Sequence, residues 1–305
     1  MEMQIISPAT KHSEYFKKFI RSLVDKFQPL QIFCFAQTNS FEELKGCFTE
    51  QETKYQCNYG LLLVTETPAR IDYEVQDFAN YHYQHGSITA LCHGKETINE
   101  AIKSNNRFFI TVFKTGQLIY SHDGMTNFDD FPHFIPSQSA VKASKHLSHH
   151  LPLAEGFLAG AGECLSKKQF VVCTFMLHQV VEQCLIVLIR VHLAYRSEIH
   201  NLSRMLGLCR SFSDKPEKML LSGSKEDHRL FEVLTKSYSG ARYSHTYAVN
   251  TDDATALYIK VSAFLTLTEE MCQKKIGELD TEATTYKDLQ AELRAMSKPL
   301  ADLSI

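Results

Sequence analysis

Apolar residues in the first hundred positions fall into two alternating patterns. In some segments they recur every three or four positions, which predicts amphipathic helices. In others they form short runs that are apolar on both faces, which is typical of buried strands. The predicted order is helix 13–27, strand 31–35, strand 59–65, helix 72–85, strand 88–92 and helix 97–104. This order predicts a small mixed α/β domain.

A predicted hairpin completes this domain. Residues 108–113 and 117–120 are apolar runs that flank Lys114-Thr115-Gly116. Two short runs around a turn that contains glycine indicate a pair of antiparallel strands. We therefore expect strands on both sides of this turn.

Strand patterns disappear in the second half of the chain. The segment 123–136 indicates a linker, because it contains Gly124, Asp129, Asp130, Pro132 and Pro136. Beyond it, helical spacing predicts helices 139–166, 168–196, 201–212, 225–247 and 252–276, and a polar helical tail at 281–296. The fold class is therefore α+β, with an α/β domain at 1–122, a linker at 123–136, a helical bundle at 137–278 and a helical tail at 279–305.

Charge, cysteine content and apolar segments indicate which partners and which cellular compartment to expect. The net charge of −3 provides no general basic field, so RNA would have to bind at a local patch. The nine cysteines contain no CxxC pair, which indicates reduced, buried thiols in a cytoplasmic protein. The apolar segment 170–193 is interrupted by polar residues and predicts a bundle helix rather than a membrane span. No signal peptide is apparent.

Three motifs in the helical half follow one another in the order known from one family. They are Phe175-Met176-Leu177-His178-Gln179-Val180-Val181-Glu182-Gln183, then Ile199-His200-Asn201-Leu202, then Tyr238 with Ala241-Arg242-Tyr243. Together they resemble the HEPN family of helical domains found in nucleotide-binding proteins. The resemblance implies a helical bundle that forms a homodimer.

Many HEPN domains are metal-independent ribonucleases, and their motif is an arginine followed after four to six residues by a histidine. The nearest pair here is Arg242 and His245, with only two residues between them. On a helix the two would share a face, and they would supply a cation for the phosphate and an imidazole to move a proton. Tyr243 or Tyr247 would position the RNA. Alternatively, Arg242 pairs with a carboxylate such as Glu182, and His245 only ends the helix.

Two further polar groups accompany this pair. His178 and Glu182 lie one helical turn apart and are candidate binding residues, or a polar pair in the core or at a dimer interface. A metal site would need a third ligand, and no zinc-type spacing provides one, so we expect neither metal nor cofactor. Arg196 and His200 form a second arginine–histidine pair, although His200 is more simply explained as the cap of the third helix.

HEPN domains often accompany nucleotidyltransferase domains of the polymerase-beta type. That family has a strand followed by Gly-Ser and a later strand that opens with Asp-x-Asp, whose carboxylates hold metal ions. Here Ala36-Gln37 replaces Gly-Ser, and Asn58 and Gly60 replace the two acids. An amide and a glycine cannot replace the carboxylates that bind Mg²⁺. The resemblance therefore implies a non-catalytic domain that binds a nucleotide or serves as a scaffold.

These observations leave two functions open. The chain is either a nucleotide- or RNA-binding regulatory module, or a HEPN endoribonuclease of the toxin or defence type that uses Arg242 and His245. The changed spacing, the missing acids and the negative charge favour the first.

Overall fold

The computed structural model describes residues 8–46, 49–69, 71–124 and 132–296. The chain divides into two compact units, Met1–Phe134 and Ile135–Ile305. Half of the predicted linker, at 125–131, lies outside the described residues, as does Cys47. The eight described cysteines are all free, and seven of them are buried.

The N-terminal unit contains a mixed four-stranded sheet in the order β3-β2-β1-β4. Strands β2 and β3 are parallel, whereas β1 pairs antiparallel with both β2 and β4. The elements are α1 (Pro8–Phe27), β1 (Gln31–Gly46), β2 (Thr49–Thr65), α2 (Asp72–His82), β3 (Ile88–Gly94), α3 (Lys95–Lys103), α4 (Arg107–Thr115) and β4 (Gln117–Ser121).

The sheet separates two apolar layers. Ile32 and Leu61 face α1 and α2, where they join a core that includes Leu23, Val75 and Phe78. On the other face, Phe33 lies 4.5 Å from the ring of Phe113 in α4. Successive side chains of a strand point to opposite faces of the sheet. Because both faces are covered by helices, consecutive strand residues are apolar.

Two elements of this unit differ from the predictions. First, β1 and β2 form a long hairpin that pairs from Gln31↔Val64 to Gly46↔Thr49, well beyond the apolar runs. Second, the predicted strand at 108–113 is wrong, because these residues belong to α4. The Asn106 side chain accepts a hydrogen bond from the Phe109 N–H and so caps this helix. A short apolar run has no periodicity that distinguishes strand from helix.

The predicted turn at Lys114-Thr115-Gly116 is instead the end of α4. Gly116 ends the helix, and its N–H donates to the Val112 carbonyl at 2.8 Å. A Cβ atom at position 116 would lie 2.4 Å from that carbonyl oxygen, so the close approach requires glycine.

The second unit is helical and its helices surround α6. A short 3₁₀ turn at Pro136–Gln138 precedes α5 (Ser139–Ser166), α6 (Phe170–Leu193), α7 (Leu202–Cys209), α8 (Lys215–Leu220), α9 (Lys225–Tyr243) and α10 (Thr251–Met296). The fold class is therefore α+β, as predicted. Within the described residues, α6 is the one helix long and apolar enough to cross a membrane, but 67% of its most apolar stretch is buried in the protein.

Helix boundaries agree with the predictions in some places and not in others. The bounds of α5 match the predicted 139–166, whereas α8 was not predicted. Helix α10 continues through Gly277 to Met296, although the sequence pattern suggested a break after 276. No neighbouring atom lies close to the position of a Cβ at Gly277. Leu279, which follows it, is buried, so apolar packing continues beyond the predicted break.

Candidate functional site

The three motifs of the helical unit meet in one cluster. Helix α6 contributes His178 and Glu182, the segment before α7 contributes His200, and the last turns of α9 contribute Tyr238 and Arg242. We call these five residues the polar cluster.

Glu182 is the buried acid of the polar cluster. Only 6% of the residue is exposed. The Nδ1 atom of His200 lies 2.7 Å from one Glu182 oxygen, and the Nδ1 atom of His178 lies 3.9 Å from the other. A carboxylate accepts hydrogen bonds, so the proton lies on Nδ1 of His200. The solvent-facing His200 therefore satisfies an acid that would be costly to bury alone.

His178 is a neutral histidine in this environment. Its ring lies 5.1 Å from the ring of Tyr238, and the Gln179 amide lies 3.3 Å from its Nδ1 atom. Burial, together with the nearby positive charge of Arg242, lowers the pKa of His178 to about 4. At neutral pH His178 is therefore an uncharged packing and hydrogen-bonding residue.

Arg242 rests on aromatic rings. Its Nε–H donates to the Tyr238 carbonyl at 2.7 Å. Its guanidinium carbon lies 4.1 Å from the ring centre of Tyr238 and 4.9 Å from that of Tyr243. The alternative in which Arg242 pairs with Glu182 is wrong, because within the described residues the two form no ion pair and the Glu182 oxygens face His200 and His178. Arg242 is exposed, so its charge faces solvent while its flat face is held by cation–π contacts.

His245 does not share a helical face with Arg242. Helix α9 ends at Tyr243, four residues earlier than predicted, and Ser244 is extended. His245 lies beyond the helix end and is exposed. Helical spacing therefore does not set the distance between the two side chains.

The two tyrosines near this helix end have different environments. Tyr243 is 75% exposed. Tyr247 turns inward, where its hydroxyl donates to the Val233 carbonyl at 2.8 Å and its ring covers Gly240. Burial raises the pKa of Tyr247 to about 12. Tyr243 is therefore available to a ligand, and Tyr247 anchors the segment that follows α9.

The second arginine–histidine pair is not held on a helix. Helix α6 ends at Leu193, so Arg196 and His200 both lie in the irregular segment before α7. The cap of α7 is Asn201, whose side chain accepts from the Arg204 N–H at 3.0 Å. The prediction that His200 caps this helix is wrong, because His200 binds Glu182.

In the N-terminal unit, the four positions compared with nucleotidyltransferases lie inside long strands rather than at strand ends. Ala36 pairs with Gly60 across the β1–β2 hairpin, and Gln37 pairs with Tyr59. The Asn58 side chain accepts hydrogen bonds from the backbone N–H and the hydroxyl of Ser87, at 3.0 and 2.9 Å. These positions therefore have packing and hydrogen-bonding roles of their own.

Gly60 lies directly against an aromatic ring of the neighbouring strand. A Cβ atom at position 60 would lie 2.6 Å from the ring of Phe35. That ring in turn makes an edge contact with Phe108, at 5.5 Å between centres. Within the described residues, no three His, Cys, Asp or Glu side chains are close enough to hold a metal ion.

The helical unit matches a known protein family. The HEPN domain model matches residues 148–271. These residues are a HEPN domain. The match contains all five residues of the polar cluster. No curated protein sequence matches the chain.

The HEPN domain contains three contacts that were not among the predictions. Tyr238 supports both His178 and Arg242, and Glu182 pairs with His200. Tyr238 lies four positions before Arg242, and that spacing alone indicates a contact on one helical face. The pairing of Glu182 with His200 crosses between two elements, so no spacing could have indicated it.

Proposed function

We propose that this chain is a cytoplasmic regulatory protein that binds RNA or a nucleotide, and that RNA contacts the surface formed by Arg242 and Tyr243 of the HEPN domain. The observation that carries the proposal is the exposed Arg242 guanidinium, whose carbon lies 4.1 Å from the ring centre of Tyr238 and 4.9 Å from that of Tyr243. We call Arg242 and Tyr243 the RNA patch.

The chemistry of the RNA patch suits single-stranded RNA. A guanidinium binds a phosphate through two parallel hydrogen bonds. An exposed tyrosine ring stacks on an unpaired base of any sequence. Because Tyr238 already holds the arginine in place, little side-chain freedom remains to be lost on binding.

The N-terminal unit acts in this proposal as a non-catalytic nucleotidyltransferase-like domain. Two findings support that role: Asn58 is bound to Ser87, and the space beside Gly60 is filled by Phe35. We further propose that the protein is a homodimer through its HEPN domain, with a second copy as its macromolecular partner.

Metal-independent RNA cleavage is the second candidate function. It is favoured by the exposed His245, three positions after Arg242. His245 would move the proton of the attacking 2′-hydroxyl, and Arg242 would hold the scissile phosphate. His178 and Tyr247 are not used, because both are turned into the protein.

The test measures RNA binding and RNA length in the same samples. A labelled single-stranded RNA is titrated with the full chain, with Arg242→Gln and with Tyr243→Ala, in the presence of EDTA. Stacking contributes about 1–3 kcal/mol per base, so Tyr243→Ala should weaken binding roughly 5- to 150-fold. Lys225→Gln, at the opposite end of the same helix, removes one charge and should have little effect.

The outcomes separate the two candidates. Binding that both patch variants weaken, with RNA that stays intact, supports the regulatory protein. RNA that is cut by the wild-type chain in EDTA but not by His245→Ala establishes the ribonuclease instead. No detectable RNA binding, or binding that both patch variants retain, contradicts the proposed RNA patch.

A further inference from the structure

A cleft of about 680 Å³ opens in the N-terminal unit between α1 and one face of the sheet. Clefts of roughly 300–1,000 Å³ are the usual size for small-molecule sites. Helix α1 forms one wall, and strands β1, β2 and β4 form the other. We call it the α1 cleft.

The floor of the α1 cleft is apolar and aromatic. Phe16 and Tyr59 stack with their ring centres 3.9 Å apart, and Ile20 and Val24 continue the surface along α1. Ile119 of β4 adds a further apolar contact on the sheet side. A flat, uncharged ring is the kind of group that such a floor accommodates.

The sheet wall carries amide side chains. Gln37 and Asn39 line the cleft from β1, and the Gln37 amide donates to the Asn39 side chain at 3.3 Å. Gln117 lines it from β4. Amides offer both donors and acceptors, which is what the edge of a nucleobase requires.

The helix wall carries two cations. Lys17 and Arg21 lie one turn apart on α1, so they project from the same face. Both are exposed, and neither forms an ion pair with any residue in the described part of the chain. Asp25 is the one carboxylate in the lining, which leaves the cleft with a net positive charge. Two adjacent cations without partners suit a phosphate.

The Cys34 thiol, which lines the cleft, does not suggest covalent chemistry. Burial raises the pKa of the Cys34 thiol, whose sulfur donates to the Ala36 carbonyl at 3.2 Å. A protonated thiol is a poor nucleophile. Cys34 is therefore a poor candidate for reaction with a ligand.

We propose that the α1 cleft binds a mononucleotide, with its phosphate on Lys17 and Arg21 and its base between the apolar floor and the amides of the sheet wall. The inference rests on the proposed function only in treating this unit as a binding domain without catalysis.

The α1 cleft lies on the opposite side of the sheet from Asn58 and Gly60, the positions that were compared with the two acids of nucleotidyltransferases. Asn58 and Gly60 alternate along β2 with Cys57 and Tyr59, and it is Cys57 and Tyr59 that line the cleft. Successive side chains of a strand point to opposite faces. A mononucleotide in the α1 cleft would therefore not occupy the place of a nucleotidyltransferase substrate.

The experiment is calorimetric titration of the full chain with AMP, GMP, CMP and UMP, with the matching nucleosides, and with inorganic phosphate. The variants are the double substitution Lys17→Gln and Arg21→Gln, and Lys18→Gln as the control. Lys18 lies on α1 between the two cations but does not line the cleft. Circular dichroism checks that each variant is folded.

We expect at least one mononucleotide to bind, its nucleoside to bind at least tenfold more weakly, and the double variant to lose at least tenfold in affinity. Lys18→Gln should bind like the wild type. The proposal is overturned if no mononucleotide binds at millimolar concentration, if phosphate alone binds equally well, or if the double variant binds normally.

A further titration separates this proposal from the one for the HEPN domain. Tyr243→Ala should leave mononucleotide binding unchanged, because Tyr243 is not part of the α1 cleft. Loss of mononucleotide binding in Tyr243→Ala would place the ligand in the HEPN domain and overturn the inference. RNA binding that fails while the cleft variants behave as expected would contradict only the RNA patch.

Discussion

The two units bury different kinds of side chain. In the described part of the N-terminal unit, the buried polar residues are Thr65, Gln76 and Thr89, all uncharged. The helical unit buries acids, histidines and an arginine, and the buried residues of these types are His150, His178, Glu182, Arg204 and Asp253.

The difference has a physical consequence. A buried ionisable group is stable only with the correct partner and protonation state, so the helical unit depends on pH and on individual pairs. The stability of the N-terminal unit depends instead on apolar packing and on places where two backbone segments approach each other closely. The following predictions test that contrast, from the largest expected effect to the smallest.

The largest effect is expected at Gly86, in the turn before β3. Gly86 has φ of +143°, and a Cβ atom there would lie 2.0 Å from the Cys57 carbonyl oxygen. Gly86→Ala combines a strained backbone with a clash against backbone, so it should lower the free energy of unfolding by at least about 3 kcal/mol. Urea unfolding followed by circular dichroism measures this, at more than one pH.

Gly277→Ala is the matched control for that substitution. Gly277 is in the middle of α10 with no neighbouring atom where a Cβ would go. Alanine there should raise stability by about 1 kcal/mol, because glycine is the poorer helix former. If Gly86→Ala is tolerated as well as Gly277→Ala, close backbone approach is not what holds the N-terminal unit together.

The next effect concerns His178 and pH. Its pKa of about 4 in the folded protein lies below the ordinary value of 6.5, so the unfolded chain binds more protons between these values. The free energy of unfolding should therefore fall as pH decreases from 6.5, by up to about 1.4 kcal/mol per pH unit, with no further loss from His178 below pH 4. His178→Gln should reduce this slope.

Part of the slope should remain in His178→Gln, because burial also lowers the pKa of His146 and of His150. A slope that is the same in wild type and His178→Gln would show that His178 is not a buried neutral histidine.

The smallest effect is expected at His200. His200→Ala removes the hydrogen bond to Glu182 and leaves that buried acid without its closest partner. Because the side chain of His200 is 65% exposed, the loss should be about 1 kcal/mol at pH 7. In a Glu182→Gln background the same substitution should cost less, and equal costs in both backgrounds would argue against the pair.

Several features of this protein follow from the sequence alone. Apolar periodicity identified α1, α5 and the division into an α/β unit and a helical unit. It could do so because the residues that a helix or a strand buries recur at the period of that element. The order of the motifs identified the HEPN domain. His178 and Glu182 were correctly placed on one helical face, since the helical repeat fixes residues four positions apart.

Other features required the tertiary structure. Residues 108–113 fit a strand or a helix equally well, and only the Asn106 cap and packing against Phe33 favour α4. The contact between Glu182 and His200 and the α1 cleft both join segments that are distant along the chain. Local spacing determines which side chains share a face, but packing determines which faces meet, and packing therefore decided the contact of Glu182 with His200 and the α1 cleft.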